Sequence, residues 1–147
     1  MFGFVTEKFM AELATPIALN HIGITVPDIH AAIDWYGKVF GFRRIMGPRR
    51  LEPKLSDTAE SGHILGPRFR KALQAHLVTA NGIGLELFQF LEPETETPED
   101  NLEYWKTGVW HLCFTDPDIE GLTDWIVAEG GKKRTEVWEF VPGTDRK

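Results

Sequence analysis

Three side chains have the types and settings that metal or acid–base chemistry requires: His21, His111 and Glu86. The two histidines stand 90 residues apart, and the same offset aligns residues 21–44 with residues 111–134 without a gap. It recovers His21/His111, Thr25/Thr115, Pro27/Pro117, Asp28/Asp118, Ile29/Ile119, Asp34/Asp124, Trp35/Trp125, Gly41/Gly131 and Arg44/Arg134, nine identities in 24 positions. Chance would supply roughly one or two, so one supersecondary unit occurs twice. Each copy carries a histidine at the same place on the same strand. A pseudo-two-fold axis between the copies brings the imidazoles together, and two imidazoles at a module interface suggest a metal site.

Strand parity extends the argument to a carboxylate. Alternate residues of a strand share a face, so His21 points with Gly23 and Thr25, opposite the apolar Ile22, Ile24 and Val26. His111 points with Cys113 and Thr115, opposite Leu112 and Phe114, and Glu86 stands opposite Leu85 and Leu87. All three interrupt apolar strands on the face turned away from the helices. On the inside of a curved sheet a lone carboxylate would be costly unless paired or metal-bound. Two neutral imidazoles and one carboxylate suit a divalent first-row ion with open positions for water or substrate, and Ni, Zn, Fe, Mn and Co all remain open.

The elements that must position these groups read in the same order in both copies. An apolar, β-branched run over 18–26 predicts a strand that Pro27-Asp28 ends. Asp28 caps a helix over Ile29–Phe40, where Ile29, Ala32, Ile33, Tyr36 and Phe40 fall at helical spacing, and Gly41 stops it before a strand over 42–46. Strands over 71–79 and 83–90 follow, joined by Ala80-Asn81-Gly82. The second copy predicts a strand over 109–115, a helix over Ile119–Ala128 capped by Asp118, and a strand over 134–140. Trp35 and Trp125, repeated between the copies, are expected to anchor each helix to its sheet. The fold class is α+β, with paired βαβββ modules whose curved mixed sheet forms a metal-binding cup and whose helices lie outside. The expected boundaries are an N-terminal helical extension over 1–17, a first module over 18–92, a linker over 93–107 and a second module over 108–147.

The 147 residues, 42% of them hydrophobic, suffice for one buried core. A formal net charge of −6 disfavours nucleic acid and anionic membranes, because the phosphate-neutralising interaction has the wrong sign. One cysteine, Cys113, excludes an internal disulfide, and no apolar run approaches the roughly 20 residues of a bilayer span. These features lead to the expectation of a cytoplasmic protein with a small-molecule substrate. Phe2, Val5, Phe9 and Leu13 at helical spacing predict a short amphipathic N-terminal helix. The segment 47–70, rich in Gly, Pro, Ser and Arg, is longer than ordinary connections and reads as a loop that covers a pocket. Arg49, Arg50, Arg68, Arg70 and Lys71 make this segment and its exit basic, and they are candidates for holding a substrate carboxylate or phosphate, Arg50, Arg68 and Arg70 foremost. His76 is expected to line the pocket or pair across strands beside Glu86, and Cys113 to be a small residue of the cup.

The phrase Leu19-Asn20-His21-Ile22-Gly23-Ile24-Thr25-Val26-Pro27-Asp28-Ile29, followed by Asp34-Trp35-Tyr36 and Val39-Phe40-Gly41-Phe42, resembles the opening module of the vicinal oxygen chelate superfamily. That group includes glyoxalase I, methylmalonyl-CoA epimerase, extradiol dioxygenases and the bleomycin and fosfomycin resistance proteins. Residues 83–88 look like the family's fourth strand with its carboxylate ligand, and residues 108–114 like the fifth with its histidine. The resemblance implies His21, Glu86 and His111 as metal ligands, with Glu86 also moving the proton, in a lactoylglutathione lyase-like isomerisation or an epimerisation through a metal-bound enediolate. An extradiol-type dioxygenase and a non-catalytic, bleomycin-resistance-like binder are the other two classes it allows, and a homodimer is expected in each. The family's fourth ligand, a glutamate on a late strand, would fall beyond Lys147. The second module is thus expected to be incomplete, as in a truncated chain or one completed by strands of a neighbouring subunit.

Overall fold

The computed structural model describes residues 16–53, 64–99, 102–139 and 141–143. The helix expected near the N-terminus lies outside them. The elements are β1 (His21–Thr25), α1 (Ile29–Phe40), β2 (Arg43–Leu51), β3 (Lys71–Val78), β4 (Gly84–Glu92) and α2 (Ile119–Ala128). The four strands form one mixed, curved, open sheet in the order β1-β4-β3-β2. β1 runs parallel to β4, and the β2/β3 and β3/β4 pairs are antiparallel, which is the expected βαβββ unit.

α1 is specified at both ends by local chemistry. Asp28 is in the extended region and its carboxylate accepts from the His30 and Ala31 amides at 2.9 and 3.0 Å. The Gln89 side chain, reaching over from β4, accepts from the Ile29 amide at 3.0 Å. Three of the four amides that a helix start leaves unpaired are thereby satisfied. At the other end Gly41 adopts φ of 66°, the left-handed turn that ends helices, and its N–H donates to the Gly37 carbonyl.

The core lies between α1 and one face of the sheet. Val26, Ile29, Ala75, Leu77, Leu85 and Leu87 are buried there, with Ile24, Ala32, Ile33, Tyr36, Phe42 and Leu73 packed against them. Period-two alternation on the strands meets period-3.6 alternation on the helix. Burial raises the pKa of the Tyr36 phenol above its ordinary value, because the charged form would lose its hydration.

β2 extends further than its sequence pattern predicts, running to Leu51 through Gly47-Pro48. The strand absorbs this breaker pair as a bulge, with a register shift between Met46 and Arg49. Gly47 sits at φ of 75°, where a Cβ would run into the Gln74 carbonyl oxygen. The expected loop therefore begins after β2, and Arg49 joins the sheet.

The second copy departs from expectation in its strands. α2 forms over the expected residues, and Asp118 caps it by accepting from the Gly121 amide at 3.0 Å. The strands expected over 109–115 and 134–140 are not formed among the described residues, which carry no ladder there. A strand exists only through its partner. In the first copy β4 holds β1, and no strand is formed beside residues 109–115 among the described residues. The packing follows the expected alternation only in part, since Phe114 is itself 38% exposed. Leu112 touches the core, the Phe114 ring lies 4.8 Å from that of Phe40, and His111 and Cys113 are exposed.

The two tryptophans also differ from expectation. Trp35 donates from Nε1 to the Glu129 carbonyl at 3.0 Å, tying α1 to the end of α2 instead of to its own sheet. Lys38 pairs with the Glu129 carboxylate at 2.6 Å and stands over the Trp125 ring. Trp125 keeps 43% of its surface exposed, so this repeated residue serves the helix pair and not the core.

Leu87→Ala is expected to lower stability by about 2–5 kcal/mol, by removing fully buried atoms between helix and sheet. Asp28→Ala should lower it by about 1 kcal/mol. Urea denaturation followed by far-ultraviolet circular dichroism measures both.

Candidate functional site

The face of the sheet turned away from α1 carries the polar residues. Register sets them in rows across the strands. His76 of β3 lies opposite Glu86 of β4, which lies opposite Gly23 of β1, and Met46 of β2 faces His76. In the next row Arg49, Gln74, Phe88 and Thr25 follow one another from β2 to β1. His21 lies opposite Gly84, one row away from Glu86 on the other side.

Gly84 makes the close approach of the imidazoles geometrically feasible. A Cβ there would collide with Nε2 of His76 and come within 2.8 Å of the His21 Cβ. Without that carbon the two rings meet edge to face, their centroids 5.1 Å apart.

The His21 imidazole faces the Glu86 carboxylate, with Nε2 3.5 Å from Oε2. Its Nδ1 lies 2.7 Å from the side-chain oxygen of Asn20, an acceptor, a contact that suits the tautomer with its proton on Nδ1. In the neutral form of that tautomer Nε2 would present a lone pair toward a carboxylate oxygen. Two acceptors at this separation repel unless a cation lies between them, either a proton on Nε2 or a metal ion. The Glu86 side chain is only 16% exposed and that of His21 41% exposed, so water screens the carboxylate less than the imidazole.

The other Glu86 oxygen is already engaged. Oε1 accepts from the Gln74 amide nitrogen at 2.5 Å, and the Gln74 oxygen accepts from Arg49 Nε at 2.7 Å. The Arg49 bond orients the carboxamide, the carboxamide orients Glu86, and Oε2 is left toward His21. Gln74 is the sole buried polar residue among those described, and both ends of its amide are satisfied.

Of the residues expected to form the site, His21, Glu86 and His76 are brought together. His111 is exposed, its ring 4.1 Å from that of Trp110, and among the described residues no three His, Cys, Asp or Glu side chains are grouped to hold a metal ion. Cys113 is an exposed free thiol. Arg50 lies opposite Leu73, on the helix side of the sheet, and pairs with Glu52 at 2.6 Å. Arg70 donates to the carbonyls of Pro67 and Phe69, and Arg68 is exposed.

Gln74 and Asn20 join the site although the sequence pattern points to neither directly. The signal for Gln74 is its place two residues before His76 on an otherwise apolar strand. Arg49 is expected only as one cation of a basic loop, because the bulge at Gly47-Pro48 resets its parity.

Residues 18–144 match the family model of the Glyoxalase/Bleomycin resistance protein/Dioxygenase superfamily. The chain belongs to this superfamily. Among solved structures, a glyoxalase family protein from Bacillus cereus is similar at a TM-score of 0.70 and 21% identity, covering 88% of this chain and 83% of the other. A glyoxylase/bleomycin resistance protein/dioxygenase domain from Frankia sp. EAN1pec is similar at a TM-score of 0.54 and 18% identity, covering 79% and 71%. None of the curated proteins is similar enough in sequence to count as a match. At these identities the likeness establishes the superfamily fold, and the chemistry must be argued from the site itself.

Asn20→Ala is expected to release the His21 tautomer. Long-range ¹H–¹⁵N correlation spectra should show a single Nδ1–H form in the wild type and a mixture of the two neutral forms in the variant. Gly84→Ala should leave the chain folded while shifting the imidazole resonances of both His21 and His76.

Proposed function

We propose that this superfamily member is a divalent-metal-dependent enzyme of the glyoxalase type, catalysing an isomerisation or epimerisation in which a proton next to a carbonyl is removed and returned. The observation that carries the reading is the juxtaposition of His21 Nε2 with Glu86 Oε2 at 3.5 Å, while Nδ1 of the same ring is engaged by Asn20. That donor chemistry suits a borderline divalent ion. His21 and Glu86 would hold the ion from the first module. His111, at the repeat-equivalent position of the second, would be the third ligand. Two donors do not close a site, so ion binding would draw His111 away from Trp110.

When bound, the ion supplies Lewis-acid polarisation of the substrate oxygens. The remaining work falls to the chain. Gln74 holds Glu86 Oε1, so Oε2 is the oxygen turned to the cup, and it would take the proton from the substrate carbon and return it only while not engaged as a ligand. The low exposure of Glu86 keeps competing water away from that transfer. His76 lines the same face beside His21 and would contact the substrate.

The reading includes a small-molecule substrate and a homodimer. Strands β1 and β2 are both sheet edges, and Tyr104, Trp105 and Trp110 expose aromatic surface of the kind that interfaces use. Light scattering should return twice the chain mass.

Elemental analysis of the purified protein tests the assignment. Close to one divalent ion per chain is expected, lost in His21→Ala and in His111→Ala, and at least tenfold more weakly held in Gln74→Leu, the scale of effect for a residue that orients a ligand. Nickel or zinc would accord with isomerase chemistry. Stoichiometric iron with oxygen uptake on a catechol would favour a dioxygenase instead. Metal-free wild-type protein that still binds aromatic ligands would overturn the enzyme reading and leave a small-molecule binder.

A further inference from the structure

The second row of this sheet face holds a cation that the proton-transfer reading does not use. Arg49 is exposed, and among the described residues it has one hydrogen-bond partner, Gln74, and no carboxylate within 4 Å. Its neighbour Arg50, on the opposite face, is paired with Glu52. Among the described residues, the cation that register directs toward the cup is bonded to a neutral carboxamide and not to a carboxylate. The Nε bond to Gln74 fixes the guanidinium plane, so both terminal nitrogens keep their donors for a planar oxyanion.

The surroundings of Arg49 define the rest of the ligand. Gln74 separates it from Glu86 by one carboxamide, so an anion on Arg49 lies a short molecule's length from Glu86 Oε2. The row continues from Gln74 to Phe88, whose ring stacks with that of Phe90 at 5.9 Å between centroids, while Phe69 stands edge-on to Phe90 at 6.2 Å. These rings form an apolar floor beside the polar triad. A Cβ built at Gly23 lies 3.7 Å from both Glu86 Oε2 and the Phe88 ring, so floor and carboxylate adjoin.

We propose that Arg49 is the specificity-determining residue of this site, and that the ligand class is a small organic carboxylate with an apolar body. The carboxylate sits in the Arg49 fork, the apolar body covers Phe88 and Phe90, and the carbon nearest the middle of the molecule faces Glu86. Gln74 couples the two ends, since a bidentate anion that draws on Arg49 also fixes the carboxamide that orients Glu86. The inference deepens the proposed reaction by naming its substrate class, and it rests on that reading for the role of Glu86. Anion binding itself does not depend on the metal.

The test is titration of the full-length, metal-free protein with benzoate and with its neutral counterpart benzamide, followed by ¹H–¹⁵N correlation spectra. Benzoate is expected to bind at least tenfold more tightly than benzamide and to shift the Gln74 side-chain amide. Arg49→Gln should abolish the preference, Arg49→Lys should retain part of it, and Arg50→Gln, on the opposite face, should leave it intact. Equal binding of the two probes, unchanged benzoate affinity in Arg49→Gln, or no benzoate binding by the wild type with or without added zinc would each overturn the proposal. Loss of the metal reading is distinguishable. A protein that takes up no metal yet shows the Arg49-dependent preference would refute the enzyme assignment and leave the carboxylate site standing.

Discussion

Parallel hydrogen bonding of β1 to β4 sets His21 opposite Gly84 and Gly23 opposite Glu86, and the polar face depends on that register. A shift by one residue would turn His21 into the apolar layer and Ile22 out of it. The register is enforced from the other side of the sheet, where Ile24, Leu85 and Leu87 pack beneath α1. Burial under the helix therefore selects the arrangement of groups that face away from it. Gly84 completes the constraint, since only a residue without a side chain lets the imidazoles of His21 and His76 close over that point.

The same two-sidedness explains how a half-buried carboxylate is maintained. Glu86 lies on a strand whose alternate residues are core, and its environment would be costly if its oxygens were unpaired. Gln74 satisfies one oxygen and is itself satisfied by Arg49, so the network is complete along one branch. The other oxygen is left toward the His21 imidazole, 3.5 Å from Nε2.

The second copy shows how unevenly a repeat can be realised. Its helix forms with its cap, because a helix satisfies its own backbone and needs only local signals. Its strands do not, because each requires a partner at the right distance along the chain. The side chains keep their alternation in part: Leu112 reaches the core, Phe114 joins the rings of Phe40 and Phe42, and His111 is left outward. Contact between the copies passes also through the helices, where Trp35 and Lys38 hold Glu129.

Much of this was legible in one dimension. The 90-residue repeat, the capping aspartates, Gly41 and the alternation along β1 and β4 are local or periodic signals, and they determine both helices, the βαβββ order and the shared face of His21 and Glu86. The superfamily follows from the same residues. Three things were decided only in three dimensions. Gly47-Pro48, a breaker pair by sequence, became a bulge because β3 held the strand on both sides of it, and that placed Arg49 on the polar face. Gln74 became the link between Arg49 and Glu86 through two cross-strand neighbours 25 and 12 residues away. The position of His111 depended on pairing that the local pattern could not supply. Short-range propensities are written in consecutive residues, whereas register, bulges and side-chain networks depend on which strands meet, and only the folded chain brings those strands into contact.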